Sequence, residues 1–205
     1  VVYNYSEEEE PEEITFTFDR SKSTVTITGS GTLTVNDIKK WDTSEINTYA
    51  LKVKIGKNIN VTDARVFCDS IQPIYYMKSF EVDSGNPYLS SLNGILYNND
   101  KTKLIRFPAQ NTTADYDVVE CTVASTVKEI APYAFANTGV TDVNLPSGLE
   151  TIGDYAFYSA TKLVDITIPG SVKTIGVGAF RDCWKMTKAT LPEGLETIPR
   201  ECFIG

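Results

Sequence analysis

Apolar and proline positions recur along the second half of the chain at a nearly constant interval of 22 or 23 residues. Three residue types keep this interval: Ile130, Ile152, Ile175 and Ile198; Phe135, Phe157, Phe180 and Phe203; Pro146, Pro169 and Pro192. A register shared by aliphatic, aromatic and proline positions indicates a structural repeat, and an internal repeat decides the architecture before any single element does.

Within one repeat, the segment 163–168 alternates between apolar and polar residues as a half-buried strand does. We expect Leu163, Ile166 and Ile168 to point inward and Asp165 and Thr167 to point outward. The proline that follows ends the strand, because it cannot donate to a β ladder. A unit of this length is shorter than the roughly 30 residues that a strand, a helix and two loops need. The pattern therefore predicts a solenoid with a parallel sheet on one side and short turns or 3-10 segments on the other, whose coils bury their apolar faces against each other.

The first half is less regular. Residues 14–33 alternate with a period of two, which predicts an antiparallel β cap over the first coil, and Trp41 is expected to seal the join. A degenerate coil follows, with strands predicted at 52–55 and 77–82. After a turn-rich patch at 83–88, segments 94–97 and 103–107 flank a polar turn and predict a β-hairpin.

The composition limits the partners and the types of site that the chain can have. The net charge is −8 and the 19 basic residues are scattered, which argues against nucleic acid as a partner. The chain has no histidine, and its four cysteines form no C-x-x-C pair, which removes the usual zinc sites and any histidine base. No metal, cofactor or catalytic residue is assigned. No apolar run approaches the roughly 18 residues of a membrane span, so none is expected.

The repeat motifs resemble a known family. The segment Leu149–Phe157 is similar to the core V-x-x-I-G-x-x-A-F, and Ile166–Pro169 to the strand I-T-I-P, of the BspA-like leucine-rich repeat proteins of bacterial and some protist cell surfaces. The hairpin insertion and the leading β module also resemble theirs. The family's F-x-x-C is met only by Phe180 and Cys183.

The resemblance implies an exported protein, extracellular or at the cell surface, that binds host proteins or neighbouring cells. It also implies that the acidic segment is a spacer behind a removed lipid anchor. The expected organisation is an acidic tether at 1–13, an N-terminal β cap at 14–50, and a leucine-rich repeat solenoid at 51–205. That solenoid contains the hairpin insertion at about 83–118 and ends in a truncated repeat.

Two surfaces are candidates for binding a protein ligand. The first is the outward face of the predicted sheet: Glu81, Asp142, Asn144, Asp165, Thr167, Lys188 and Thr190. The second is an aromatic edge near the insertion: Tyr75, Tyr76 and Tyr88. The sheet face is polar and mixed in charge, and it serves equally well as a solubilising surface. The tyrosines serve equally well to pack the insertion onto the coil.

The sequence thus favours a non-catalytic, adhesin-like protein-binding module. The alternative is a structural spacer or stalk that displays another module. An enzyme using two carboxylates is disfavoured, because no acidic residue lies in a recognisable motif and a parallel solenoid lacks a deep cleft. The cysteines are expected to be small buried fillers. Whether Cys183 and Cys202 are bonded stays open.

Overall fold

The computed structural model describes residues 12–40, 51–67, 77–109, 118–195 and 197–205 of the 205-residue chain. Most of the predicted acidic tether, Trp41, Cys68, Tyr75 and Tyr76 lie outside the described residues.

Within the described ranges the chain is built from short strands with few helices. The strands are β1 (Thr15–Asp19), β2 (Thr24–Thr28), β3 (Ser30–Thr32), β4 (Leu51–Ile55), β5 (Asn58–Asn60), β6 (Met77–Val82), β7 (Leu89–Leu92), β8 (Ile95–Asn98), β9 (Lys103–Arg106), β10 (Glu120–Thr122), β11 (Glu129–Ile130), β12 (Asp142–Asn144), β13 (Thr151–Ile152), β14 (Asp165–Thr167), β15 (Thr174–Ile175) and β16 (Lys188–Thr190). The helix α1 spans Val35–Lys40, and a 3-10 helix spans Ala64–Phe67.

The predicted cap is an antiparallel β1–β2 hairpin at one edge of a four-stranded sheet. The rest of that sheet is parallel, because β2 pairs with β4 and β4 with β6. A second parallel pair, β3 with β5, lies beside it. The hairpin's inner strand is therefore already the first rung of the coil stack, and the cap is continuous with the solenoid.

The predicted hairpin is present and is part of a three-stranded antiparallel meander, β7–β8–β9. The buried Asn86 attaches the start of this meander to the coil before it. Its Nδ2 donates to the carbonyls of Gly56 and Ile59, both at 2.8 Å, and its Oδ1 accepts from the amides of Tyr88 and Leu89 at 2.8 and 2.9 Å. Both polar side-chain atoms of Asn86, which lies in the predicted turn-rich patch, are thus hydrogen-bonded.

The regular coils have three sides. The first wall is the parallel ladder β9–β11–β13–β15, so the meander's last strand is also the ladder's first. The second wall consists of β10, β12, β14 and β16. The turn wall consists of residues 132–137, 154–159 and 177–182. The solenoid is confirmed. Parallel strands line two of its sides rather than the one predicted, because the two-residue strands that end at Ile130, Ile152 and Ile175 also pair with one another.

A column of phenylalanines fills the coils behind the turn wall. Successive rings of Phe107, Phe135, Phe157, Phe180 and Phe203 stack with centroids 5.1, 4.6, 5.0 and 5.3 Å apart. The turn wall carries a matching backbone ladder, in which the amides of the first four ring residues donate to the next coil, as Phe157 does to Ala179 at 2.7 Å. The ring spacing follows the separation of about 4.8 Å between paired strands. One residue interval of the sequence thus corresponds to one coil of the stack.

The apolar interior divides into two clusters, one under the cap and first coil and one under the regular coils. Arg106, only 1% exposed, lies where they meet. Its Nη1 donates to the carbonyls of Tyr133 and Ala134 at 2.9 and 3.1 Å, and its Nη2 to the carbonyl of Phe67 at 3.4 Å. One guanidinium thereby joins the end of the 3-10 helix to the turn wall of the first regular coil.

Candidate binding face

The outward side chains of the second wall form two rows. The first row is Glu120, Asp142, Asp165 and Lys188, and the second is Thr122, Asn144, Thr167 and Thr190. All eight are exposed, while the residue between them in each strand points into the coil. Period-two alternation on stacked strands thus produces a flat polar surface over an apolar interior.

The face carries unpaired negative charge, unlike the other sheet surfaces. On the first wall, Lys103 pairs with Glu129 at 2.6 Å, and Lys128 pairs with Glu150 at 3.5 Å. Among the described residues, no ion pair includes the three carboxylates that we call the acidic row: Glu120, Asp142 and Asp165. Lys188 stands opposite Asp165 in register, and the two form no ion pair. Glu120 stands opposite Asp142 in register, and like charges opposite each other on neighbouring strands repel.

The second wall is interrupted in its middle. β10 pairs with β12 and β14 with β16, but β12 and β14 belong to separate sheets. Val123 donates to the carbonyl of Asn144 at 3.1 Å, and Ile168 to that of Thr190 at 2.8 Å. The equivalent bond from Leu145 to Thr167 is absent between these two described strands. We call the interface between β12 and β14 the seam.

A one-residue difference in coil length accounts for the seam. Phe135 precedes β12 by seven positions, whereas Phe157 and Phe180 precede β14 and β16 by eight. The turn wall keeps Phe135 in the ladder, so the shorter connection cannot carry β12 to the position that would pair it with β14. In the sequence, this difference appears as one interval of 22 residues among intervals of 23.

An open groove of about 380 Å³ lies over the seam. It is lined from both strands by Asp142, Asn144, Asp165 and Thr167, with Ser147 and Pro169 at one end and the strand backbones as its floor. A second cavity, of about 270 Å³, is lined by Phe180, Trp184, Phe203 and Ile204 in the last described coils. Phe180 and Phe203 belong to the phenylalanine column, so this cavity borders the stacking surface of a coil.

The described thiols are not arranged for chemistry. Cys121, Cys183 and Cys202 are unbonded, which answers the open question about the last two in this structure. Burial raises the pKa of Cys121 to about 12, and burial likewise raises those of Cys183 and Cys202 to about 12 and about 11. A raised pKa suppresses the reactive thiolate. No group of three or more metal-ligating side chains occurs in the part of the chain that the structure describes.

The family profile described as BspA type leucine rich repeat region matches residues 110–205 in six copies. These are BspA-type leucine-rich repeats. Among curated protein sequences, none matches the chain significantly.

Solved structures share the fold of these BspA-type repeats. A leucine-rich repeat protein from Eubacterium ventriosum is 19% identical with a TM-score of 0.57, over 93% of this chain and 73% of that one. The pneumococcal vaccine antigen PcpA is 23% identical with a TM-score of 0.56, over 77% of this chain and 44% of that one. At such identities the likeness shows the fold alone. The chain thus spans less than half of the PcpA structure.

The BspA-type repeats bring together six of the seven residues predicted for the sheet face: Asp142, Asn144, Asp165, Thr167, Lys188 and Thr190. Glu81 lies elsewhere, on β6 in the N-terminal sheet, where it pairs with Lys52 at 3.3 Å and Lys54 at 3.0 Å. Of the predicted aromatic edge, only Tyr88 is described. It is 50% exposed and precedes β7, away from the second wall.

Sequence reasoning missed Glu120 and Thr122, which extend both rows by one strand. β10 lies before the first clear BspA-type coil, and only its pairing with β12 in the structure identifies it as part of the second wall. A further feature was also missed on the turn wall. The guanidinium carbon of Arg65 lies 5.8 Å from the ring centroid of Tyr133, whose ring stacks on Tyr155 at 5.3 Å. The 22-residue interval between these tyrosines was the available signal.

Proposed function

We propose that this chain is a non-catalytic, adhesin-like module that binds proteins through the outward face of the second wall. The observation that supports this most is that four successive strands present eight exposed side chains in two rows over a packed interior. A face built on stacked strands is held rigid by the coil, so ordering it on binding costs little conformational entropy.

The second wall suits this role better than the first. Strands of the second wall are three residues long and present two outward rows, whereas β11, β13 and β15 are two residues long. Outward charges of the first wall already pair with one another, as Lys103 does with Glu129. Unengaged polar groups remain free to hydrogen-bond with a ligand, and solenoids commonly use one such extended face for binding.

The proposed setting is extracellular or at the bacterial cell surface, with host proteins or proteins of neighbouring cells as ligands. The BspA-type region and the fold shared with a pneumococcal vaccine antigen support this setting. The acidic residues 1–13 would then act as a spacer, the segment 14–50 as a cap, and 51–205 as the binding solenoid. No helix in the described ranges is long and apolar enough to cross a membrane.

Surface plasmon resonance against a panel of purified extracellular-matrix and plasma proteins tests the proposal. We expect saturable binding to at least one of them. Thr167→Trp places a large side chain on the second wall and should abolish that binding. Thr174→Trp, at an exposed outward position of the first wall, is the matched control and should leave it unchanged.

Two results would overturn the proposal. One is the absence of saturable binding to every protein of the panel, which favours the spacer or stalk. The other is equal loss of binding in both tryptophan variants while their melting temperatures match that of the wild type, which places the contact elsewhere.

A further inference from the structure

We propose that the groove over the seam binds a cationic side chain, arginine or lysine, from an extended basic segment of the protein ligand. This inference rests on the proposed function and adds to it the chemistry of the partner and the point at which it docks.

The first argument is electrostatic. In the N-terminal sheet, Glu81 stands beside Lys52 and Lys54 and pairs with both. In the acidic row, by contrast, Glu120 stands directly opposite Asp142 in register, and Lys188, which stands opposite Asp165, forms no ion pair with it. Carboxylates on adjacent strands lie roughly 5 Å apart and repel each other. A cation from a partner would relieve this repulsion, so binding it stabilises the face as well as the complex.

The second argument is the hydrogen-bonding capacity that the seam leaves open. Asn144 and Thr190 each accept a backbone bond from the preceding coil, but the Thr167 carbonyl receives none from Leu145. This carbonyl belongs to a residue that lines the groove, together with the carboxylates of Asp142 and Asp165. The carboxylates of Asp142 and Asp165 and a backbone acceptor thus meet in one place, where Asp165 Oδ1 already accepts one bond from the Thr187 hydroxyl at 3.1 Å. A guanidinium has five N–H donors and no acceptor, and an ammonium has three donors, so either group matches this set.

The third argument concerns the location. The second wall has three junctions between its four strands, and only the one between β12 and β14 lacks pairing. The acidic row crosses this junction, with Asp142 on one side and Asp165 on the other. The unpaired junction and the unpaired charges are separate features of the chain, because one follows from the length of a coil and the other from side-chain identity. Their coincidence at one groove favours a cationic occupant over an anionic or apolar one.

A labelled arginine–glycine octapeptide and the same peptide with citrulline in place of arginine provide the probes, measured by fluorescence anisotropy. We expect the arginine peptide to bind and the neutral citrulline peptide not to bind. The double substitution Asp142→Asn and Asp165→Asn should weaken arginine-peptide binding roughly tenfold, the effect of removing two partly exposed charge pairs.

The matched control is the double substitution Glu129→Gln and Glu150→Gln, which removes the same charge from the first wall. It should change the affinity by less than about twofold, because distant exposed charges are largely screened at physiological salt. Equal weakening in both double variants would overturn the inference, because net charge alone would then explain binding. Unchanged binding in the Asp142 and Asp165 variant would overturn it as well. Circular dichroism and melting temperatures confirm that each variant is folded.

The outcome is separable from that of the proposed function. If a panel protein binds the second wall and the Asp142 and Asp165 double variant binds it as tightly as the wild type, the cationic site is wrong and the binding module stands. If the arginine peptide binds at the seam and no panel protein binds, the cationic site stands and the adhesin-like role is wrong.

Discussion

At the scale of single residues, the close stacking of coils restricts which side chains the turn wall accepts. Gly178 is buried, has a φ of +60°, and occupies the position that Tyr133 and Tyr155 hold in the preceding coils. A Cβ built on Gly178 would lie 2.4 Å from Cε1 of Tyr155, because that ring leans onto the next coil. The orientation of the Tyr155 ring therefore leaves no room for a side chain at position 178.

We expect Gly178→Ala to lower the free energy of unfolding by about 1–3 kcal/mol, from positive-φ strain and overpacking together. Gly170→Ala is the control, since Gly170 has an ordinary φ and no atom within 4 Å of an added Cβ. That variant should be neutral or slightly stabilised, because alanine restricts the unfolded chain. Urea unfolding measures both variants. A loss at Gly178 no larger than at Gly170 would contradict the stacking argument.

At the scale of elements, the length of a coil decides whether its strand pairs. The first regular coil keeps its place in the first wall and the turn wall, where its backbone bonds are intact. Its shorter connection to β12 interrupts the second wall alone. A parallel solenoid can therefore carry a defect on one side, since each wall is hydrogen-bonded separately.

Amide hydrogen exchange should reveal the seam in the absence of any ligand. The amides of Leu145 and Val164 lack the bonds that the equivalent amides of Ile168 and Thr187 make to Thr190 and Val164. We expect Leu145 and Val164 to exchange at least roughly tenfold faster than Ile168 and Thr187, because an unbonded amide needs no opening step to exchange.

A loop graft is the converse experiment. Replacing the five residues 136–140 with the six-residue sequence of 158–163 gives the first coil the length of its neighbours. The graft should slow exchange at Leu145 and Val164 if coil length causes the seam. Unaltered exchange in a folded graft would assign the seam to another cause.

At the scale of the whole molecule, burial in the stacked coils disfavours the ionised forms of thiol and phenol groups. Cys121 lies in the inward row of the second wall, and burial raises the pKa of its thiol from 9.0 to about 12. Burial also raises the pKa of Tyr97 from 10.0 to about 12. Both groups are neutral in the folded coil at pH values where they ionise in the unfolded chain.

The sign of the resulting pH dependence follows. The stability that these raised pKa values contribute is complete below about pH 9 and is lost between about pH 9 and pH 12, because the unfolded state releases protons first. One pH unit above its ordinary pKa, Cys121 alone should contribute a loss of about 1 kcal/mol. Urea unfolding near pH 7 and pH 10 should show a smaller decrease for Cys121→Ala than for the wild type. An identical decrease would mean that Cys121 is accessible in the folded protein.

The sequence by itself determined the solenoid, the number of residues in each coil and six of the eight side chains of the polar face. The interval between Phe135, Phe157 and Phe180 is the number of residues in one coil, and alternation at 163–168 assigns inward and outward side chains without any tertiary information. Such local and periodic patterns are legible because each coil repeats the same environment. The burial of Cys121 and Cys202 follows from the same reasoning, whereas Cys183 is half-buried.

Tertiary structure alone decided how the irregular parts join and where the face is interrupted. Glu81 has the pattern of an outward strand residue, yet its strand belongs to another sheet, because sheet membership depends on pairing between distant segments. Glu120 joins the face for the same reason. The meander's Phe107 begins the aromatic column, and Arg106 joins the two cores, although neither residue stands out in the sequence. The seam depends on both the sequence and the tertiary structure. The shorter coil is visible in the sequence, but only the packing of the coils shows that the second wall loses its strand pairing.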